Sequence, residues 1–352
     1  MRVLLIKLKH LGDTLLLTPT IRFLKERFPG IEIDVIVRSS CEAILESNPD
    51  VSRVLAVARP ESERRTWRSG LRENLRLIRT IIGTSYDFAF DLSDSDRAKI
   101  WVLLSRAKVR GFRRIDVKPS WKHRVFNRFD DATLTSHHQV MRDFETVTRI
   151  MGVTGDAGPL TFHPSVDEAD LIRRFPWACA SQPYAVIHPT SRWSFKEWLP
   201  EHWAAVADGL AALGLQVVFT GGPDALERET IAKIQSHARI PHISVAGQVS
   251  VHEFGYILKR ARLFLGIDTF AMHLAAAMQT PSVALFGPSL VPAWTPWKNR
   301  AEVIAGPCHC NPSTHRECAR PHTVCMASIT AASVLEAAVQ LTDPNSNISH
   351  PN

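Results

Sequence analysis

The chain has 352 residues, which is more than one typical domain and suits two domains of about 150–180 residues each. Hydrophobic residues make up 45% of it and the mean hydropathy is -0.06, which indicates a soluble globular protein with an ample core, and no apolar run approaches the roughly 20 residues that span a bilayer. The formal net charge of +7 suits an anionic partner, and composition alone leaves open whether that partner is nucleic acid or an anionic lipid surface.

The N-terminal half alternates predicted strands and helices, which is the pattern of a parallel sheet. Strands are predicted over residues 2–7, 32–38, 53–58, 87–92 and 109–112, and helices near 14–28, 65–82 and 96–105. Because Lys7 interrupts the four-residue apolar run of the first strand, we expect no signal peptide. The protein is therefore expected in the cytoplasm, with its six cysteines mostly reduced.

A polar turn, LGDT at residues 11–14, follows the first predicted strand. Gly12 permits a tight turn, and Asp13 is predicted at the N-cap of the next helix, where a carboxylate accepts hydrogen bonds from backbone amides. Capping alone is a sufficient explanation for this carboxylate. The alternative is that Asp13, at the carboxyl edge of the sheet, acts as a general base in a cleft between two domains.

Residues 97–128 carry eleven Lys and Arg and a single acidic residue, Asp116. Aromatic residues interleave with them: Trp101, Phe112, Trp121 and Phe126. This mixture suits nucleic acid or an anionic lipid surface. A second basic series follows helical spacing and fits a solvated helix face. Its members are Arg65, Arg68, Arg72, Arg76 and Arg79. Between the two series, the Asp94-Ser95-Asp96 pattern matches a metal-binding DxD, although helix capping explains it better.

The C-terminal half repeats the alternation after a proline-rich segment. We predict a linker over residues 161–183, with a short helix at 166–174, between an N-terminal domain over 1–160 and a C-terminal domain over 184–341. Predicted strands lie at 184–188, 216–220, 243–246, 263–267 and 282–286, and predicted helices at 200–213, 225–236, 251–261, 270–278 and 331–341. The polar tail 342–352 is predicted to be disordered. The fold class is α/β, with two doubly wound domains facing each other across a cleft.

Two loops of the C-terminal half carry candidate ligand-binding groups. The sequence HPTSRWSFKEW at 188–198 follows a strand, and its Thr190, Ser191 and Lys196 could hold a diphosphate through two hydroxyls and an ammonium. Its tryptophans are expected to pack under the loop. The segment 263–289 reads as a strand–helix–strand unit in which Asp268 and Thr269 follow the strand. Asp268 either caps the helix or binds a ligand, and the helix amides behind it suit a phosphate.

Jointly, four segments resemble the heptosyltransferase family of lipopolysaccharide core assembly, glycosyltransferases of the GT-B architecture. They are LGD with TP at residues 11–13 and 18–19, HPTSRWSFKEW at 188–198, GGPDALERE at 221–229 and DTFAMHLAAAMQTPSVALFGPS at 268–289. The resemblance covers nearly the whole chain. The HPTSRW form and TPW at 295–297 look most like the heptosyltransferase III branch.

The resemblance implies that the C-terminal half binds ADP-L-glycero-D-manno-heptose and that the N-terminal half presents the acceptor sugar. Asp13 occupies the position of the family's proposed general base. The positions matching the donor site are Thr190, Ser191 and Lys196 at the diphosphate and sugar, Asp224 at the ribose, Val249 beside the adenine, and Asp268, Thr269, Phe270 and His273 in the motif D-[ST]-G-x-x-H. Phe270 stands where members usually carry glycine.

The implied reaction is a single displacement with inversion, in which Asp13 takes the acceptor proton and ADP departs toward Lys196. It implies no metal and no other cofactor. The acceptor, lipid A with its phosphorylated core, is anionic, so the basic cluster at 97–128 is expected to hold the enzyme peripherally on the cytoplasmic face of the inner membrane. Nucleic acid is not expected, because no nucleic-acid-binding motif accompanies the charge.

Four questions stay open at the level of sequence. Cys308, Cys310, Cys318 and Cys325 form C-x-C-x7-C-x6-C, which does not match paired C-x2-C zinc spacing, so either a metal site or a thiol-rich loop is possible. The enzyme could use another nucleotide sugar, or be a related epimerase. A non-catalytic nucleotide-sugar-binding relative is the third alternative. The sequence does not identify the accepting hydroxyl.

Overall fold

A computed structural model of the chain describes residues 1–58, 67–114, 124–308 and 324–343, with the backbone alone given for 67–73. Contacts divide the chain into two units, Met1–His163 and Pro164–Asn352. The division falls inside the segment 161–183 that was predicted as a linker. The tail predicted to be disordered lies outside the described residues from 344 onward.

The first unit is built on a six-stranded parallel sheet. Its strands are β1 (Arg2–Lys7), β2 (Glu32–Arg38), β3 (Arg53–Val57), β4 (Phe88–Asp91), β5 (Val109–Arg113) and β6 (Arg128–Asp130). They lie in the order β3-β2-β1-β4-β5-β6, so the direction of winding reverses between β1 and β4. That reversal leaves a crevice at the carboxyl ends of the two strands.

The helices of the first unit differ from prediction at two places. They are α1 (Leu11–Leu15), α2 (Thr18–Arg27), α3 (Trp67–Ile82), α4 (Asp96–Ser105) and α5 (Gln139–Met151). The single helix predicted over 14–28 is divided, because Pro19 lacks an N–H and its ring would clash with the carbonyl of Leu15 in an unbroken helix. Neither α5 nor the three-residue β6 was predicted. Helix α5 packs on α2, with the rings of Phe23 and Phe144 edge to face at 5.0 Å.

The second unit repeats the same winding. Its strands are β7 (Tyr184–His188), β8 (Gln216–Phe219), β9 (Ile243–Ser244), β10 (Leu263–Ile267), β11 (Ser282–Phe286) and β12 (Ala301–Ala305), all parallel. The order β12-β11-β10-β7-β8-β9 places the reversal between β7 and β10. Edge strand β12 was not predicted. The prediction of two doubly wound α/β units is confirmed.

Eight helices are described in the second unit: α6 (Glu168–Arg174), α7 (Pro200–Ala212), α8 (Ala225–His237), α9 (Val251–Arg260), α10 (Phe270–Ala277), α11 (Val291–Trp294), α12 (Val324–Ala327) and α13 (Ala331–Thr342). The sheet is covered on both faces, and its core includes wholly buried Trp203, Phe219 and Leu265. Because the sheet is buried on both faces, the strand ends that carry the candidate site are held in place. Among the described residues, no helix is both long and apolar enough to cross a bilayer.

Candidate functional site

The loops after β7 and β10 share the carboxyl edge of the second sheet, because these strands are hydrogen-bonded neighbours. The loop after β7 contains the short 3-10 turn Ser194–Lys196, and Asp268 directly follows β10. Two segments about 70 residues apart in sequence therefore meet where the winding reverses, which is the usual ligand-binding position of open α/β sheets.

Lys196 and Asp268 form the central ion pair of this edge. The ammonium Nζ lies 2.6 Å from Asp268 Oδ2, and the two side chains are 21% and 8% exposed. Thr269, rather than Asp268, is the N-cap residue of α10, and its side chain makes no capping hydrogen bond. The interpretation of Asp268 as a helix cap is therefore wrong. Its carboxylate instead holds a cation at the strand end.

Helix α10 directs its N-terminus at the same edge. Its first amides have no partner within the helix and lie at the positive end of the helix dipole. The Thr269 hydroxyl is buried and has no hydrogen-bond partner among the described residues. Phe270 opens the helix, and buried His273 lies one turn further, with its ring 6.2 Å from that of Trp294. The arrangement combines an ammonium, a hydroxyl and backbone N–H donors, which suits an anionic group.

Glu227, which the sequence reasoning did not single out, lies beside Thr190. The wholly buried Thr190 donates its hydroxyl hydrogen bond to Glu227 Oε2 over 2.6 Å, and the amide of Gly222 donates to the same oxygen over 2.7 Å. A Cβ at 222 would lie 2.8 Å from Glu227 Oε1, so a larger residue there would require the carboxylate to shift. Asp224 is exposed and caps α8 by accepting the amide of Leu226 at 2.9 Å. In the sequence, the Gly-Gly-Pro turn at 221–223 is the feature that could have indicated a close contact with Glu227.

Ser191 is tied into its own loop. Its amide donates to Glu197 Oε1 at 3.2 Å, and its hydroxyl oxygen accepts the amide of Trp193 at 3.0 Å. Burial raises the pKa of Glu197, although the hydrogen bond from the Ser191 amide acts to lower it. Trp198 is buried and donates from Nε1 to the carbonyl of Ile329, as the packing interpretation expects. Trp193 is 44% exposed, so for this residue the packing interpretation is wrong.

His188, at the end of β7, contributes no positive charge near neutral pH. Burial lowers its pKa to about 4, although the carboxylate of Glu227 opposes this shift. Its Nδ1 lies 3.0 Å from the hydroxyl of Thr220, and its ring stacks on Phe254 with centroids 5.7 Å apart. Lys196 therefore supplies positive charge at this edge that His188 does not.

The loops carrying Asp224 and Val249 are joined by their backbones. The amide of Gly247 donates to the carbonyl of Gly221 over 2.9 Å. Gly247 has φ +70, a left-handed conformation that favours glycine. Val249 is partly buried and directly precedes Ser250, which caps α9 in a reciprocal capping box with Glu253. The structure thus brings the loops of these two predicted positions together.

Asp13 lies in the first unit, at the third position of α1. His10, not Asp13, is the N-cap residue, because the helix begins at Leu11, earlier than predicted. Asp13 Oδ2 accepts the amide of His10 at 3.3 Å, and Oδ1 lies 3.9 Å from Lys9 Nζ. Burial and the charge of Lys7 lower the pKa of Lys9, while Asp13 acts to raise it. The Asp13 side chain is 13% exposed, so the carboxylate is accessible and also completes a helix cap.

Asp91 and Ser93, which the sequence did not indicate as important, hold the loop that leads to α1 through hydrogen bonds. Asp91 Oδ1 accepts the amides of Ser93 and Asp94 at 2.8 and 3.0 Å. The Ser93 hydroxyl accepts the amide of Leu8 at 2.6 Å and donates to the carbonyl of Ile6. Burial raises the pKa of Asp91 to about 6, opposed by the amide of Ser93 and the charge of Lys99. Ser95 caps α4, which confirms the capping interpretation of that pattern.

The basic cluster at 97–128 does not form one free surface. Four of its cations pair with carboxylates: Lys99 with Asp94, Lys108 with Asp87, Arg113 with Asp130 and Arg114 with Asp131. Trp101, Phe112 and Phe126 lie in the core rather than among the surface charges. The interpretation of interleaved basic and aromatic residues as one binding surface is therefore wrong for these positions. Lys118, Trp121 and Lys122 lie outside the described residues.

Two of the four cysteines of the C-terminal cluster are described. Cys308 and Cys325 are free thiols. Burial is the main cause that raises the pKa of Cys325 to about 11, and the neighbouring Cys308 adds to this rise. Cys310 and Cys318 lie outside the described residues. Within the described ranges, no three His, Cys, Asp or Glu side chains are grouped as metal ligands would be.

Comparisons with known proteins agree on one family. The model of glycosyltransferase family 9 (heptosyltransferase) matches residues 74–324, a range that includes both loops of the second unit but not Asp13. The chain is 30% identical over 294 residues to a lipopolysaccharide heptosyltransferase 3 of Escherichia coli, covering 82% of this chain and 84% of the relative. It is also 30% identical over 316 residues to the lipopolysaccharide heptosyltransferase 3 of Escherichia coli strain K12, covering 88% and 89%.

A solved structure of a family 9 glycosyltransferase from Veillonella parvula shares the fold. Its TM-score is 0.78 at 20% sequence identity, with 97% of each chain covered. The α/β, GT-B fold class that the resemblance implied is thus confirmed. With a family match over most of the chain and relatives at 30% identity, this chain belongs to glycosyltransferase family 9, the heptosyltransferases.

Proposed function

We propose that this enzyme transfers L-glycero-D-manno-heptose, with inversion, from ADP-heptose to the inner core of lipopolysaccharide. The main support for this proposal is the Lys196–Asp268 ion pair, which lies beside the N-terminus of α10 where the winding of the second sheet reverses. It supplies a fixed cation and backbone donors where a nucleotide diphosphate would be recognised. The names of the relatives, lipopolysaccharide heptosyltransferase 3, supply the sugar and the acceptor class.

The donor would be held by the second unit. An ammonium has three N–H donors, and Asp268 occupies one of them, which leaves two for phosphate oxygens. Thr269 contributes a hydroxyl that has no protein partner among the described residues. The backbone-linked loops carrying Asp224 and Val249 would receive the ribose and adenine, and Thr190, held by Glu227, would support the diphosphate side.

Asp13 would act as the general base on the acceptor. Its carboxylate would take the proton of the attacking hydroxyl, whose oxygen forms the new bond to the anomeric carbon as the bond to ADP breaks. Negative charge then develops on the departing diphosphate, where Lys196 and the α10 amides can offset it. One displacement at one carbon gives inversion.

The acceptor would bring the enzyme to the cytoplasmic face of the inner membrane. Lipid A and the phosphorylated core carry negative charge, and the chain has a net charge of +7. Of the cluster at 97–128, the described arginines that are exposed and take no part in the ion pairs above are Arg97, Arg106, Arg124 and Arg128. These, rather than the paired Lys108, Arg113 and Arg114, would contact the lipid surface.

The test is release of ADP from ADP-heptose in the presence of defined core acceptors, compared with UDP- and GDP-sugars. The proposal expects acceptor-dependent ADP release and a product with inverted anomeric configuration by NMR. Turnover of another nucleotide sugar in preference to ADP-heptose would overturn the donor assignment. Tight ADP binding without any transfer would identify a non-catalytic relative.

A further inference from the structure

Helices α3 and α4 lie side by side on one face of the first sheet. Their inner faces are buried, through Leu77 and Ile81 of α3 and through Trp101 and Val102 of α4, which belong to the same core cluster. Their outer faces combine large aliphatic side chains with arginines. Neither the proposed donor site nor the fold uses these outer faces.

The outer face of α4 exposes two aliphatic residues one turn apart. Ile100 is 55% and Leu103 is 54% exposed. Arg97 lies one turn before them and Arg106 one turn after, and both are exposed. Arg97, Ile100 and Leu103 lie three apart within α4 and share its outer face, whereas Arg106 follows the helix as its C-cap in a left-handed conformation with φ +51.

The outer face of α3 repeats this composition. Leu75 is 45% and Ile82 is 41% exposed, and the exposed Arg76 and Arg79 lie between them in sequence. None of the guanidinium groups of Arg76, Arg79, Arg97 and Arg106 makes an ion pair with a described residue. Among the described side chains of α3 and α4, Asp96 is the one carboxylate. The two faces are therefore apolar and cationic together.

We propose that the outer faces of α3 and α4 form the surface by which this enzyme docks on an anionic lipid bilayer. Leu75, Ile82, Ile100 and Leu103 would enter the boundary between headgroups and acyl chains, and the arginines would pair with lipid phosphates. Helices with this division of residues lie in the plane of such an interface. The proposal rests on the proposed function in one respect, since a lipid-linked acceptor gives the docking its purpose.

Charge complementarity and size favour a bilayer over a protein partner. These arginines have no carboxylate partner within the part of the chain that the structure describes, and anionic headgroups would supply one. Four partly exposed aliphatic side chains offer far less than the roughly 800 Å² per partner of a stable protein interface. A membrane needs no such area, because a few inserted aliphatic groups and several arginines act together.

The experiment measures cosedimentation of the full chain with vesicles of phosphatidylglycerol and phosphatidylcholine. The double variant Ile100→Ser, Leu103→Ser should bind anionic vesicles about tenfold or more weakly, because burial of half-exposed aliphatic side chains is lost. The matched control Leu213→Ser, Ile240→Ser removes side chains that are 55% and 48% exposed in the second unit and should bind like the wild type. The variant Arg76→Gln, Arg79→Gln, Arg97→Gln should also bind weakly.

Transfer of heptose to a short soluble core acceptor separates docking from catalysis and from misfolding. All four sets of protein should carry out this transfer equally. If the wild type fails to transfer, the proposed function fails, while the vesicle comparison still tests the docking surface. Equal vesicle binding by wild type and the Ile100→Ser, Leu103→Ser variant would overturn the docking proposal. So would a wild-type dimer in sedimentation that this variant abolishes, since the face would then bind a second copy.

Discussion

Lys196 and Asp268 are joined by one ion pair, so the effect of replacing either residue depends on the other. Lys196→Ala removes the cation and leaves the Asp268 carboxylate, which is 8% exposed, without its partner. ADP should bind about 10- to 100-fold more weakly, since a charge-assisted hydrogen bond is lost and an unpaired negative charge remains. Calorimetry with ADP measures this, and the variant Lys196→Ala, Asp268→Asn should bind ADP more tightly than Lys196→Ala alone. An unchanged dissociation constant in Lys196→Ala would remove Lys196 from the donor site.

Asp13 combines a capping position with a proposed catalytic role, and one substitution separates them. Asn can still accept the amide of His10, so Asp13→Asn should unfold at the same temperature and bind ADP normally. Turnover should fall roughly 100-fold or more, the usual loss of a general base. Asp167→Asn, which alters a comparable capping carboxylate on α6, is the matched control and should not affect turnover. Near-normal activity in Asp13→Asn would leave capping as the whole role of Asp13.

Asp91 should make the stability of the first unit depend on pH. Because burial raises its pKa to about 6 in the folded state, the folded chain binds this proton more tightly than the unfolded chain. Its contribution to the free energy of unfolding therefore decreases as pH rises toward about 6 and stays low above it. Asp91→Asn should be more stable relative to wild type at pH 7.5 than at pH 5, in urea unfolding. A stability difference that is the same at both pH values would contradict this assignment.

Helix α5 shows how an element escapes sequence-based prediction. Val140, Phe144 and Val147 follow helical spacing, yet buried polar residues interrupt the pattern: Asp143, Glu145, Thr146 and Thr148. Two of these polar residues, Asp143 and Thr146, contact residues well outside the helix, whereas Thr148 bonds to carbonyls of the helix itself. Asp143, for example, pairs with Lys7 at the end of β1 over 2.5 Å, with side chains 2% and 4% exposed. Such a partner cannot be read from the local sequence.

The Lys7–Asp143 pair should control how firmly α5 is held to the sheet. Asp143→Ala leaves a buried ammonium without its carboxylate and should reduce the free energy of unfolding by about 3–5 kcal/mol. Replacing both partners by apolar residues, Lys7→Met with Asp143→Leu, should restore most of that loss. Urea unfolding followed by tryptophan fluorescence measures both. If the double variant is as unstable as Asp143→Ala, packing around the pair rather than the unpaired charge accounts for the loss.

Prediction also missed short edge strands, the one-turn helices α11 and α12, and the start of α1. Strands β6 and β12 lie at sheet edges and have few wholly buried residues, so they lack the apolar runs that identified the central strands. Helix α1 begins three residues earlier than predicted, since His10 rather than Asp13 is its cap. The central strands were predicted well because burial on both faces demands continuous apolar sequence.

At the scale of the whole molecule, two sheets with the same winding were predictable from alternating strands and helices. The strand-end positions of Asp13, Lys196 and Asp268 followed from the same pattern. The pairing of Lys196 with Asp268, and of Thr190 with Glu227, did not, because each depends on side-chain geometry across neighbouring loops. The surface charge was also misjudged from sequence, since carboxylates outside the basic cluster neutralise much of it.

Net charge gives a prediction that belongs to the entire chain. With a net charge of +7, binding to anionic vesicles should weaken as salt rises beyond about 0.15 M, where the Debye length is about 8 Å. Each arginine near the surface contributes about 1 kcal/mol before screening. Vesicle cosedimentation across a salt series measures this, with neutral phosphatidylcholine as the control. Binding that does not change with salt would show that charge has no part in membrane association.

The close approach of Glu227 to Gly222 bears on how sequences of this family can diverge. A Cβ at 222 would lie 2.8 Å from Glu227 Oε1, so the carboxylate would have to shift, and its other oxygen, Oε2, accepts the hydrogen bond from Thr190. Because the obstructing atom is the end of a side chain and not backbone, a shorter or repositioned acid at 227 could relieve the overlap. Positions 222 and 227 are therefore expected to covary among homologues, because a substitution at one changes the space available to the other.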